Sequence, residues 1–268
     1  MTNRMALPCV LAVSGSDSSA GAGLQADLKA CAALGVYAAT AVTAITAQNS
    51  LGVAFVEPVS AVMVRRQMLA VLQDLSVSVI KIGMLAEASI VEAVSEVLDD
   101  YPDIPVVLDP VLISSSGRLL LDLAGQQLLV QRLFRQVTLL TPNVAEAACL
   151  SGMSIEGVDA DPERALRAVA DLGVKAVLLK GGHRSGNYSE DLLWMNDSLH
   201  RYSAPRLVVQ NDHGTGCTLA SAIAANLAKG MRLTDAVAAA KTYLTRTLLT
   251  ADRFAVGQGR GSLNHFEW

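Results

Sequence analysis

The chain has 268 residues, of which 51% are hydrophobic and 17% charged, with a net charge of −4 and no run of basic residues. That balance argues against nucleic acid or an anionic membrane surface as a partner, although a few lysines and backbone amides suffice to hold a small anion. The four cysteines form no CxxC pair and have no histidine at ligand spacing, which excludes a disulfide framework and a zinc site and points to a reducing, cytoplasmic compartment.

Arg4 ahead of the apolar run 5–13 has the outline of a short signal peptide. A buried first strand is expected there instead, because strands of a parallel sheet carry the same continuous apolar character. Further strands are expected at 39–46, 79–82, 106–108, 137–140 and 176–179, after a first at 10–13. Helical spacing lies between them. Ile90, Val91, Val94, Val97 and Leu98 share one face. Asp161 can cap a helix that starts at Pro162, turns Leu166, Val169 and Ala170 inward and ends by Gly173. Leu219, Ile223 and Leu227 line one late helix, and Val237, Ala240, Tyr243, Leu244 and Leu248 line the next. Segments 191–195 and 201–209 read as an added pair of strands, antiparallel at a sheet edge. Aromatics make up only 4% of the chain, so the core is aliphatic. The expected fold is α/β, a three-layer and mostly parallel sheet with helices on both faces, formed by one domain over residues 1–268. No apolar stretch reaches the ~18 residues of a membrane span.

In such a sheet the ligand crevice lies at the carboxyl ends of the strands. The unusual residues fall just past those ends: 15–23, Gln48 and Asn49, Gly83 and Met84, Asp109 and Pro110, 141–143, and 180–183. The GxxxxGK[ST] phosphate loop is absent. Gly21, Gly23 and Ala26 match GxGxx[GA], but the next carboxylate after Asp27 is Glu57, too far for a dinucleotide ribose. The segment Asn211-Asp212-His213-Gly214-Thr215-Gly216-Cys217 leads into the helical run 218–229. Glycines at a helix entrance let backbone N–H groups converge where the helix dipole is positive, an anion hole suited to a transferring phosphoryl group. A thiol in such a turn is expected to have a lowered pKa, making Cys217 a thiolate near neutral pH. Asp109 and Glu146 can hold Mg²⁺ through water, and Lys180 can reach a phosphate as a point charge. His183, His200, His213 and His265 share no metal spacing, though His213 adjoins the anion-hole turn. Met84 at a strand end can pad a flat heterocycle.

Gly15-Ser16-Asp17 followed by Ala20-Gly21-Ala22-Gly23-Leu24-Gln25-Ala26-Asp27 resembles the opening motif of hydroxymethylpyrimidine/phosphomethylpyrimidine kinases, thiamin-pathway members of the ribokinase-like superfamily. Further matches come in family order at 46–49, 81–85, 107–111, 141–143, 180–183 and 213–217. The resemblance implies an ATP- and Mg²⁺-dependent kinase, usually a homodimer, that phosphorylates the hydroxymethyl group of a pyrimidine and often its monophosphate. It implies that Gln48 hydrogen-bonds the pyrimidine, with Asp27, Met84, Gly15 and Ala22 in its pocket. Lys180 would face the nucleotide phosphates, with Asp109, Asn143 and Glu146 near Mg²⁺. Gly214, Thr215 and Gly216 would form the catalytic turn, and Cys217 would sit where the substrate hydroxyl loses its proton.

Two departures from the family pattern stand out. Ser18 and Ala20 occupy positions where Pro and Gly are familiar. Ser115 stands where a loop lysine is common, and Arg118 is a candidate replacement for holding a phosphorylated substrate. A pyridoxal kinase is the nearest alternative, since some relatives with the same Gly-Thr-Gly-Cys ending phosphorylate pyridoxal. A non-catalytic pyrimidine sensor on this scaffold is the other, opposed by the intact set Asp109, Glu146, Lys180 and Cys217.

Overall fold

The computed structural model describes residues 7–113, 119–182 and 186–266. Ser115, Arg118 and His183 lie outside them. In chain order the strands are β1 (Cys9–Asp17), β2 (Tyr37–Asn49), β3 (Gly52–Pro58), β4 (Val79–Ile82), β5 (Val106–Leu108), β6 (Leu139–Leu140), β7 (Ala176–Leu179), β8 (Tyr188–Met195) and β9 (Ser198–Pro205). The helices are α1 (Gly23–Ala33), α2 (Ala61–Leu72), α3 (Ala88–Asp99), α4 (Leu123–Leu128), α5 (Val144–Ser151), α6 (Ile155–Ala160), α7 (Pro162–Ala170), α8 (Thr215–Ala228) and α9 (Leu233–Leu249).

One nine-stranded sheet runs β3-β2-β1-β4-β5-β6-β7-β8-β9. The six strands from β2 to β7 in that order pair in parallel, while β3 at one edge and β8–β9 at the other are antiparallel. Alternation along each buried strand builds two cores. Leu11, Ile80, Leu108 and Val177 face α2, α3, α5 and α7, whereas Val10, Val79, Val107 and Leu178 face α1, α8 and α9. The expected three-layer architecture is therefore present.

The strands expected at 79–82, 106–108 and 176–179 form with those bounds, because both faces of each are covered and the apolar run has no choice of side. Asp161 caps α7 as expected, accepting from the Arg164 N–H at 3.0 Å. Three expectations are corrected. A strand forms at β3 where none was expected: its short apolar run 53–56 stays exposed or half-buried because it pairs only with β2, at the edge of the sheet. The strand expected at 201–209 ends at Pro205, which has no N–H to extend a ladder, and 206–209 line a cavity instead. Finally, α8 starts at Thr215, which places Gly216 and Cys217 in its first turn.

Candidate active site

A cavity of about 780 Å³ opens at the carboxyl ends of the parallel strands, within the range of small-ligand sites. One wall is the loop after β1. It folds onto the carboxylate of Asp17, which is 3% exposed. Oδ1 accepts the Ser19 N–H and hydroxyl at 2.8 and 2.7 Å, and Oδ2 accepts the Gly21 and Ala22 N–H groups at 3.1 and 2.8 Å. Burial pushes the Asp17 pKa up, but hydrogen bonds from His213, Ser19 and Ala22 outweigh it and bring the carboxyl down to about 2.

Both departures in this loop find a structural role or consequence. The Ser18 hydroxyl donates to the Gln48 carbonyl at 2.6 Å and accepts the Gln48 N–H at 2.8 Å, a double latch that proline cannot make. Ala20 adopts φ +62°, the left-handed region that glycine enters without strain.

His213 Nε2 lies 3.0 Å from Asp17 Oδ2 and 2.9 Å from one end of the Gln48 amide. A carboxylate only accepts, so this nitrogen carries its proton toward Asp17. In that tautomer Gln48 presents its oxygen to His213 and its NH₂ toward the Thr46 hydroxyl, on the other side of the amide at 3.4 Å. Gln48, Met84, Gly15 and Ala22 all line the cavity, as anticipated. Asp27 does not. It is fully buried beneath the cavity, where Oδ1 accepts from Lys81 Nζ and Ser221 Oγ, each at 2.7 Å. Its motif position lies on the inward face of α1, so the residue ties α1 to β4 and α8 instead of meeting ligand. Burial disfavours the Lys81 ammonium, but the carboxylates of Asp27 and Asp109 and the neighbouring Cys217 hold its pKa above the ordinary value.

The opposite wall gathers the expected phosphate and metal residues. Lys180 Nζ pairs with Asp109 Oδ1 at 2.5 Å and lies 3.9 Å from Glu146 Oε2. Thr141 Oγ1 donates to Asp109 at 3.0 Å. Asn143 and Glu146 form a capping box on α5, each side chain accepting from the other's backbone N–H. Burial pushes Glu146 up to about 7, against the pull of Lys180 and with Asp109 adding to the rise.

The helix-opening turn closes the cavity floor. Gly214 has φ +87°, and a Cβ there would fall 1.9 Å from the Gly21 carbonyl oxygen, so only glycine lets the two loops touch. A Cβ on Gly216 would stand 3.4 Å from both Asp109 Oδ2 and Lys180 Nζ, which puts the start of α8 directly against the charged wall. Cys217 lines the cavity, but its thiol is raised to about 11: burial is the main cause, with Asp27 and Asp109 adding to it and Lys81 and the Gly23 N–H opposing it. That direction runs against the expected thiolate: lost hydration and the nearby carboxylates favour the neutral thiol. Cys149, although it lies in an apolar run, is exposed on α5.

Sequence reasoning assigned no site role to several residues. Asp191 accepts the Gly181 N–H at 2.8 Å and lies 2.8 Å from Lys241 Nζ, fixing the backbone just after Lys180 from α9. Arg206 donates to the carbonyls of Gly181, Gly182, Gly186 and Tyr188, clasping the same segment from the end of β9. Asp17 was visible inside a quoted motif, and its position two residues before Ser19 was the available signal. Asp191–Lys241 and Arg206 leave no local pattern.

A parallel sheet whose strand ends bring a lysine, two carboxylates and a helix-opening Gly-Thr-Gly turn around one cavity defines a ribokinase-like small-molecule kinase. The profile of the family described as phosphomethylpyrimidine kinase matches residues 17–264. The chain is 48% identical over 256 residues to the hydroxymethylpyrimidine/phosphomethylpyrimidine kinase of Rhizobium meliloti (strain 1021), covering 96% of each. It is 43% identical to the thiamine biosynthesis bifunctional protein ThiED of Geobacter sulfurreducens, covering 96% of this chain and 52% of that protein. Among solved structures, the pyridoxal kinase of Staphylococcus aureus in complex with AMP-PCP and pyridoxal superposes with a TM-score of 0.87 at 30% identity, covering 98% of this chain and 95% of that one. The chain belongs to the phosphomethylpyrimidine kinase family and is a phosphotransferase.

Proposed function

We propose that this chain, acting as a single domain over residues 1–268, transfers the γ-phosphoryl group of ATP to the hydroxymethyl group of 4-amino-5-hydroxymethyl-2-methylpyrimidine, and then to the monophosphate, for thiamin synthesis. The observation that carries this reading is the meeting of the 214–217 turn with Lys180 and Asp109 in the cavity that Gln48 and Met84 also line. Catalysis of phosphoryl transfer is mostly positioning and electrostatics. The amides at the start of α8 and the Lys180 ammonium receive the charge that develops on the phosphoryl oxygens. Met84 packs against the flat ring, and Gln48, oriented by Ser18 and His213, offers its amide to the ring's polar edge. Cys217 accepts the substrate proton only in its ionised form.

Asp109 and Glu146 would hold Mg²⁺. Among the described residues no group of three or more His, Cys, Asp or Glu could hold a metal ion, so water and phosphate oxygens would complete the coordination. The ion would supply neutralising charge to the phosphates. The fit rests on Glu146, whose burial beside Asp109 leaves it short of positive charge even with Lys180 at 3.9 Å.

A homodimer is part of this reading. Ile45 and Phe55 are 58% and 57% exposed, on the outer face of the β2–β3 edge, where Phe55 pairs with exposed Ala47. Light scattering in solution tests it. All four cysteines are free, which suits a reducing cytoplasm, and no helix among the described residues is long and apolar enough to cross a membrane.

A second reading, pyridoxal phosphorylation, is favoured by the likeness to the Staphylococcus aureus enzyme. ATP consumption measured with hydroxymethylpyrimidine, its monophosphate and pyridoxal, with product masses read out, separates the two. Turnover of pyridoxal alone would refute the pyrimidine assignment.

A further inference from the structure

β4 ends alongside the middle of β1, where Ile82 is in register with Val13 and the Gly83 N–H donates to the Val13 carbonyl at 2.9 Å. That places Ser14 next to Gly83. Ser14 is 1% exposed, and its hydroxyl has no hydrogen-bond partner among the described residues. Its surroundings are tightly defined. A Cβ on Gly83 would fall 2.4 Å from Ser14 Oγ and 2.9 Å from Lys81 Nζ, so the hydroxyl and the ammonium border the same small space. Ser14 also lines the cavity beside Gly15, Met84 and Cys217, whereas Lys81 and Asp27 do not. Ser14 is thus the point where the cavity floor meets the buried Asp27–Lys81 pair.

An unpaired hydroxyl this deeply buried destabilises the free protein. A neighbouring cation also orients it: the oxygen dipole turns toward the ammonium and the hydrogen turns away. We infer that Ser14 is a substrate-binding residue of the heterocycle site, donating its hydroxyl hydrogen to a ring nitrogen of the aminopyrimidine held by Gly15 and Met84. The inference rests on the pyrimidine reading above. It assigns Lys81 an indirect part, as the charge that points the Ser14 hydroxyl at the ligand.

The two effects of Ser14→Ala have opposite signs, which makes the test sharp. Calorimetry is expected to show hydroxymethylpyrimidine binding weakened about five- to tenfold, the share of one net hydrogen bond, with nucleotide affinity changed by less than about twofold. The melting temperature of the free variant is expected to equal or exceed that of the parent, since an unpaired group has been removed. Ser14→Cys, nearly isosteric but a weak donor, is expected to follow Ser14→Ala. Unchanged pyrimidine affinity in either variant overturns the assignment. So does a lower melting temperature of free Ser14→Ala, which would mean that the hydroxyl is already bonded inside the protein. A parent protein that binds no pyrimidine overturns the functional reading and this inference together, whereas parental binding with an unaffected variant overturns this inference alone.

Discussion

Asp17 and His213, 196 residues apart, meet at 3.0 Å and join the loop after β1 to the turn that opens α8. Asp17 is the centre of that junction, since its two oxygens also hold the loop's own N–H groups. Its pKa falls from an ordinary 3.8 to about 2, so its stabilising contribution is present above pH 3.8 and lost as pH falls toward 2. Asp17→Asn is expected to lower stability at pH 7 by about 2 kcal/mol, a difference that narrows below about pH 4. Urea melts at several pH values check both parts.

Ala20 offers a gain instead of a loss. Its φ of +62° strains any residue with a Cβ. Ala20→Gly is expected to raise stability by up to about 1 kcal/mol, the relief of left-handed strain exceeding the added chain entropy of glycine. A drop in stability in denaturant melts would count against strain at this position.

Gln48 is held from two sides, by the Ser18 latch on its backbone and by His213 at its amide. Removing a buried amide that pairs with substrate costs about 1–3 kcal/mol. Gln48→Ala is accordingly expected to raise KM for the pyrimidine by about five- to a hundredfold and to leave KM for ATP nearly unchanged. Steady-state kinetics with each substrate varied in turn decide it, and a normal pyrimidine KM would remove Gln48 from the docking scheme.

Glu146 is raised from an ordinary 4.5 to about 7, chiefly by burial. A carboxyl raised on folding contributes stability below its unfolded pKa and loses it as pH rises through the folded value. Glu146→Gln is therefore expected to gain on the parent protein by on the order of 1–3 kcal/mol as pH rises from about 5 to 8. If Glu146 holds Mg²⁺ as proposed, the ion needs its ionised form, and affinity for Mg²⁺–ATP is expected to rise between about pH 6 and 8 in the parent and to be flatter in Glu146→Gln. Binding titrations across that range give the answer.

The cysteines are ordered by exposure and ionisation. Cys149 is exposed, Cys9 and Cys31 are buried, and Cys217 is raised to about 11. Iodoacetamide at neutral pH is expected to label Cys149 first and Cys217 slowly, read by peptide mass spectrometry. A thiol with a pKa of about 11 is ionised in about one molecule in ten thousand at pH 7, which cancels most of the 10²–10⁴-fold that a positioned base supplies. Cys217→Ala is expected to fall within about tenfold of the parent kcat at pH 7 and to diverge from it as pH increases. Equal slopes of log kcat against pH in both proteins would mean that the amides of the turn act without the thiol.

The sequence by itself determined whatever depends on short runs of residues. Fully buried strands such as β5 and β7 read as unbroken apolar stretches, so their bounds could be placed from composition alone. The Gly-Thr-Gly segment that opens α8, and Asp109 and Lys180 just past strand ends, were likewise legible, since a parallel sheet puts its ligand crevice there. The tertiary structure decided what depends on distant partners and on exclusion of water. Cys149 lies in an apolar run yet faces outward, because α5 turns Ala147 and Ala148 into the core and leaves Cys149 on its other face. Asp27 belongs to a motif that suggests ligand contact, but Lys81 and Ser221, brought in from β4 and α8, draw it under the cavity. Lost hydration, which no local pattern encodes, pushes the Cys217 thiol up where a lowered value was expected and raises Glu146 to about 7. Hydration favours the charged form of both groups, and only the packed chain sets how much of it they keep.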